Sequence, residues 1–218
     1  MKGAVIVVAG GFGKRFGTKI PKQFLMLNKK PMFLWSVEAF AKLKCFKQKI
    51  VVVPSCMVEG LSLKYKDIFE CVAGGKERFD SVKNGLKLVK EDIHFVAIHD
   101  GARPLISKED IDVILKEAQK TKAAIAVEQT KDTIKVVSSK NRIIKTLNRS
   151  VLRNAQTPQI FETNLLKKAY SRNISRNITD DSSLVEKLNV KVSAVVTKFP
   201  NFKITTKQDF LIAEKLLR

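Results

Sequence analysis

The sequence predicts an α/β fold: a three-layer sandwich in which helices cover both faces of a mostly parallel, twisted sheet, with a β-arm protruding from it. Three observations carry this. Short apolar runs alternate with segments of helical periodicity through the first 130 residues, which is the pattern of βαβ units. The runs are apolar throughout, as parallel strands buried on both faces are. After residue 130 the rhythm changes to two short segments around a turn-rich patch.

Ala4–Val8 is the first buried strand, closed by glycine. Pro31 opens a helix, since its fixed φ and missing N–H suit a first turn, and Phe33, Leu34, Val37, Phe40 and Ala41 recur at helical spacing. Ile50–Val53 is a second strand, stopped by Pro54. Phe79, Val82, Leu86 and Val89 form one face of another helix. Phe95–Ile98 is a third strand, which ends at His99-Asp100. Ser107 with Asp110 three positions on reads as an N-cap, opening a helix with Ile111, Ile114, Leu115 and Ala118 on one face. Ala123–Val127 is a fourth strand. Thr133–Val137 and Arg142–Leu147 flank Ser138-Ser139-Lys140-Asn141 and read as a β-hairpin, within an arm at about 131–155. Helical patterns return at 163–171, 181–188 and 206–217, with a strand at Val192–Val196. With right-handed crossovers the whole is a Rossmann-like sandwich. No linker, repeat or low-complexity tract breaks the span 1–218, which reads as a single domain.

Composition bounds the function. The 218 residues are 44% apolar and 28% charged, globular values that argue against disorder. No apolar stretch approaches the ~18 residues of a membrane span, and the run Ala4–Val8 is too short for a secretory signal. The three cysteines Cys45, Cys56 and Cys71 are odd in number and form no CxxC pair, against a disulfide framework or a cysteine zinc site. A cytoplasmic protein is expected. The net charge is +20, half of it in the first 50 residues. A basic cleft focuses anionic ligands, and a nucleic-acid-binding module would also be basic. That module needs aromatic platforms among its cations, whereas aromatics are 7% here and mostly Phe at core periodicity.

The segment Ala9-Gly10-Gly11-Phe12-Gly13-Lys14-Arg15 follows the first strand directly. Its glycines let the backbone turn tightly and bring N–H groups to a phosphate. No Gly-Lys-Ser/Thr follows at Walker spacing, and Phe16 stands where a dinucleotide fingerprint needs its third glycine. Instead the loop ends in Lys14-Arg15, with Pro21-Lys22-Gln23 just beyond.

Gly11-x-Gly13-x-Arg15 followed by Pro21-Lys22-Gln23-Phe24 resembles the signature of sugar-phosphate nucleotidyltransferases. Gly74-Gly75-x-x-Arg78-x-x-Ser81, His99-Asp100-Gly101-Ala102-Arg103-Pro104, Lys131-Asp132-Thr133-Ile134-Lys135, Gln156-Thr157-Pro158-Gln159, Thr179-Asp180-Asp181 and Phe202-Lys203-Ile204-Thr205 follow in order. Together they resemble the 2-C-methyl-D-erythritol 4-phosphate cytidylyltransferases of the non-mevalonate isoprenoid pathway. The resemblance implies transfer of a cytidylyl group from CTP to that polyol phosphate with release of pyrophosphate, dependent on Mg²⁺ or another divalent cation. It also implies a homodimer in which the arm reaches across to a second copy. Arg15 and Lys22 would neutralise charge near the α-phosphate. The backbone of Ala9, Gly10, Gly11, Phe12 and Gly13 would cradle CTP. Gly75 and Ser81 would sit beside the cytosine. Asp100 and Gly101 would line the ribose and the phosphates, with Asp100 touching a metal held mainly by CTP. Thr133, Arg149, Thr157, Asp180 and Lys203 would hold the polyol phosphate, Arg149 and Lys203 orienting its attacking group.

Some neighbours have plainer roles. Asp180 stands where it can cap a helix. Arg78 reads as an ion-pair residue, Arg103 as a loop anchor through its planar fork, and His99 as a packed or hydrogen-bonded loop residue. A ribitol 5-phosphate cytidylyltransferase shares Pro-Lys-Gln and a related His-Asp segment. The stretches 131–135 and 152–157 fit the methylerythritol enzymes better.

Overall fold

The computed structural model describes residues 1–11, 20–172 and 178–217. Strand β1 (Gly3–Val8) is followed among the described residues by a small ribbon of β2 (Met26–Leu27) and β3 (Lys30–Pro31), and then α1 (Met32–Ala41). Next come β4 (Phe46–Val53), α2 (Val58–Lys64), β5 (Glu70–Ala73), α3 (Arg78–Lys87), β6 (Phe95–Asp100), α4 (Lys108–Thr121) and β7 (Ala123–Gln129). The chain then forms β8 (Lys135–Val137) and β9 (Ile143–Thr146), β10 (Arg153–Glu162), α5 (Thr163–Ser171), α6 (Ser182–Glu186), β11 (Ser193–Val196) and α7 (Lys207–Leu216).

Seven strands make the main sheet in the order β11-β7-β10-β6-β1-β4-β5. All neighbours are parallel except β10, which runs antiparallel to both β6 and β7. Because strand side chains alternate between faces, β1 contributes to two cores. Val5 and Val7 pack with Phe33, Val37 and Phe40 of α1 and Ile111 and Ile114 of α4. Ala4 and Ile6 pack on the opposite side with Val82 and Leu86 of α3 and Leu166 and Ala169 of α5. The expected three-layer sandwich is therefore built on one central hydrophobic strand.

The structure also departs from the pattern reading. Strand β4 starts at Phe46 rather than Ile50, and Gln48 is buried because its amide nitrogen bonds Glu70 Oε1 at 2.9 Å and Leu88 O at 2.8 Å. Helix α2 was not expected: none of its residues is buried, so its periodicity is faint. Strand β5 is an edge strand with no buried residue. The largest addition is β10, whose Gln156, Thr157 and Gln159 are buried polar residues rather than an apolar run. His99 and Asp100 belong to β6 itself, not to the loop after it.

Beyond β7, β8 and β9 pair antiparallel through Lys135↔Thr146 and Val136↔Lys145, forming the expected hairpin. Thr133 precedes its first strand, and the chain re-enters the main sheet at Arg153.

Candidate active site

The sequential strands β1, β4 and β5 step outward in one direction, whereas β6 lies on the other side of β1. The crevice beyond the carboxyl ends of strands at such a reversal is where open α/β sheets bind ligands. A cavity of about 610 Å³ occupies it, lined by Gly10 and Gly11 after β1, Gly74 and Gly75 after β5, Arg78 and Ser81 of α3, Asp100, and Lys203 ahead of α7. Gly75 has no room for a side chain, since a Cβ there would lie 2.2 Å from Asp80 Cβ.

Asp100 is the electrostatic centre. Its Oδ2 lies 2.8 Å from Lys203 Nζ and 3.8 Å from Arg103 Nε, and its Oδ1 accepts from Arg78 Nε at 3.4 Å. Burial pushes its carboxyl up, but Arg78, Lys203 and Arg103 outweigh burial and hold it well below the usual carboxylate range. Arg78 donates to Asp181 through Nη1 at 3.0 Å and Nη2 at 2.6 Å, in keeping with its reading as an ion-pair residue. Arg103 donates from Nη1 to Asn201 O at 2.7 Å and so ties the turn after β6 to the segment carrying Lys203.

The backbone under Asp100 is fixed as well. Its N–H donates to Thr157 Oγ1 at 3.0 Å, and that hydroxyl lies 3.2 Å from His99 Nδ1. The other imidazole nitrogen, Nε2, lies 3.1 Å from Arg103 O. A carbonyl only accepts, so the imidazole proton sits on Nε2 and Nδ1 takes the threonine hydrogen. Burial pushes the His99 imidazole down to about 4, consistent with a neutral ring.

The structure gathers the sequence-selected residues unevenly. Gly10, Gly11, Gly75, Ser81, Asp100 and Lys203 line the cavity. Lys22 is buried, and its ammonium donates to Ile204 O beside Lys203. Two expected site residues have their amides occupied. Ala9 N–H is taken by Val52 O at 2.8 Å, and Gly101 N–H by Val8 O at 3.0 Å, so neither amide cradles a ligand. Ser81 Oγ accepts from Gly75 N and donates to Glu77 O, both at 3.1 Å, and thereby shapes the loop over the cavity. The Thr157 hydroxyl is spent on Asp100 and His99. Phe12, Gly13 and Arg15 lie outside the described residues.

Thr133 and Arg149 are exposed and do not line this cavity; Arg149 donates to Lys131 O at 2.7 Å at the base of the arm. Asp180 caps the start of α6, with Oδ1 accepting from Ser183 N at 3.2 Å and Oδ2 from Gln159 Nε2 at 2.9 Å. It borders a separate depression between β7, β10, β11 and α6. Sequence reasoning passed over Asn201 and gave Asp181 no role of its own. Asn201 Nδ2 donates to Thr157 O at 2.7 Å and Gln156 Oε1 at 3.0 Å. Both residues act through groups distant in sequence, and the only advance signal was their place beside Asp180 and Lys203.

Comparisons with known proteins agree with this geometry. A family model described as 2-C-methyl-D-erythritol 4-phosphate cytidylyltransferase matches residues 4–218. A protein of that name from Endomicrobium trichonymphae is 66% identical over the full length of both chains. A crystal structure of the enzyme from Thermus thermophilus superposes with a TM-score of 0.82 at 30% identity, covering 99% of this chain and 98% of that one. A 4-diphosphocytidyl-2C-methyl-D-erythritol synthase from Anaerococcus prevotii gives 0.83 at 27% identity, with 99% and 98% covered.

Proposed function

On the premise that the chain belongs to the 2-C-methyl-D-erythritol 4-phosphate cytidylyltransferase family and transfers a cytidylyl group from CTP to that polyol phosphate, we propose that its catalysis rests on cations fixed around the buried carboxylate of Asp100. The observation that carries this is the Asp100 cluster at the strand-order reversal, with Lys203 at 2.8 Å and Arg78 at 3.4 Å.

A phosphate oxygen of the acceptor bonds to the α-phosphorus of CTP as the bond to pyrophosphate breaks. The attacking oxygen is already an anion, so no strong general base is needed. The barrier lies in bringing two anions together, which positioning and fixed positive charge lower. Gly10 and Gly11 approach the triphosphate, and the same role is assigned to Phe12 and Gly13 from the sequence. Arg15 and Lys22 neutralise charge on the α-phosphate and the leaving oxygens. Gly75 and Ser81 form the base-side wall. Lys203 exchanges Asp100 for the acceptor phosphate. Thr157 sets the backbone of Asp100, and Asp180 orders the start of α6 through Ser183 and Gln159.

Divalent metal suits this donor set. Asp100, an ionised carboxylate at the cavity wall, would hold the cation, since Mg²⁺ takes one or two carboxylates alongside substrate phosphates. When bound, Mg²⁺ or a similar cation offsets the triphosphate charge. Thr133 and Arg149, on the exposed arm, serve the acceptor site of a second copy. The exposed Val137, Ile143 and Ile144 of the arm support a homodimer. A cytoplasmic setting suits the three free cysteines.

The test is pyrophosphate release from CTP and Mg²⁺ with methylerythritol phosphate, with ribitol 5-phosphate as the comparison acceptor. Asp100→Asn should lower kcat/KM for CTP by about 100-fold, the scale of losing one charge-stabilising group. Wild-type kinetics in that variant would refute the role of Asp100.

A further inference from the structure

Asp181 does none of the work described above, yet its carboxylate is fully buried and densely held. Arg78 donates to it bidentately at 3.0 and 2.6 Å, and the Tyr170 hydroxyl donates to the same Oδ1. Tyr170 is stacked on Phe79, the neighbour of Arg78, with centroids 4.8 Å apart and planes 15° from parallel. A bidentate guanidinium–carboxylate pair fixes direction as well as distance. With both terminal nitrogens so engaged, Arg78 meets Asp100 only through Nε.

The three cations around Asp100 thus differ in freedom. Arg103 is tied to Asn201 O and Arg78 to Asp181, whereas Lys203 is 42% exposed and has Asp100 itself as its partner. If Asp181 lost its charge, the released guanidinium would have one buried carboxylate left within reach. A fork-to-fork pair with Asp100 would then form, because attraction is strong where water is excluded.

We propose that Asp181 is a positioning residue for cytidylyl transfer: by occupying both terminal nitrogens of Arg78, it keeps that cation from closing on Asp100 and leaves the Asp100 carboxylate open to the nucleotide and to Lys203 exchange. The inference rests on the role of Asp100 given above.

The experiment measures kcat/KM for CTP with Mg²⁺, together with melting temperature, for Asp181→Asn, the double variant Asp181→Asn/Arg78→Lys, and Asp100→Asn. Losing a group that orients a ligand typically lowers activity 10- to 100-fold, so Asp181→Asn should fall by about tenfold or more. The double variant should regain most of that loss, because a lysine keeps the positive charge beside Asp100 but has no planar fork to close on it. A purely structural Asp181 would show a lowered melting temperature and unchanged kcat/KM in the folded protein, which would overturn the proposal. A double variant no more active than the single would also overturn it. If Asp181→Asn does not fold, the double variant, with no buried charge left unpaired, decides alone: activity as low as that of Asp100→Asn is the overturning result. An unimpaired Asp100→Asn would instead sink the role of Asp100. An impaired Asp100→Asn beside a wild-type-like Asp181→Asn would sink only the inference.

Discussion

Asp100 stays ionised in a buried position because Arg78, Lys203 and Arg103 surround it, and the same crowding explains why charge matters more here than acid–base chemistry. The cations of the glycine loop and its sequel should show this. Lys22→Ala and Arg15→Ala are each expected to lower kcat by about 100-fold, the scale for losing a donor aimed at developing charge. Single-turnover kinetics would check it, and unchanged rates would reassign both residues. His99 makes a separate prediction about stability. Its imidazole titrates near 4 when folded, because burial penalises the charged form, against an ordinary value of 6.5. Between those values the unfolded chain binds the proton and the folded chain does not, so stability is full above about 6.5 and declines as pH falls toward 4. Between pH 7.5 and 5 the drop from this group is about 2 kcal/mol, since pH 5 still lies above the folded value. Urea unfolding at pH 7.5 and 5 should show it in the wild type, with a flatter dependence in His99→Asn.

Among the elements, α3 shows how close packing sets the site. Gly85 lets this helix lie against β1: a Cβ there would sit 2.7 Å from Ile6 Cγ2. Gly85→Ala should therefore destabilise by about 1–3 kcal/mol through overpacking, despite alanine's better helix propensity. Thermal melting measures this. At the other end of α3, Gly75→Ala drives its new methyl into Asp80. Displacing the first turn by even a fraction of an ångström shifts the cavity wall, so kcat/KM for CTP should fall by about tenfold or more. The arm is the opposite case, an exposed hairpin with little packing to displace. Arg149→Ala should cut kcat/KM for the acceptor by about 10- to 100-fold, the loss of one hydrogen bond to a charged group, and leave CTP affinity near wild type. Lost CTP affinity instead would place Arg149 in the nucleotide site.

For the whole molecule, the arm makes a prediction that one chain cannot satisfy. If Arg149 serves a second copy, mixing Arg149→Ala and Asp100→Asn chains should restore about a quarter of wild-type activity. Half of randomly paired dimers are mixed, and each mixed dimer has one intact site of two. Activity no higher than that of the separate variants would confine both residues to one chain. The mostly parallel sheet and its two hydrophobic faces were legible in the sequence, because Ala4–Val8 is apolar throughout and Phe33–Phe40 and Ile111–Ala118 announce burial by their period. The antiparallel β10 was not, since Gln156, Thr157 and Gln159 are buried by hydrogen bonds rather than by apolarity. Of the candidate site, Gly10, Gly11, Gly75, Ser81, Asp100 and Lys203 were selected from sequence and line the cavity, because glycines and polar residues just after apolar strands stand out in the sequence. Tertiary structure alone decided which of their groups remain available. The amides of Ala9 and Gly101 are taken by Val52 and Val8, and the terminal nitrogens of Arg78 by Asp181. The reason is physical: periodicity records what each residue buries, but a hydrogen-bond partner a hundred residues distant leaves no mark on local sequence.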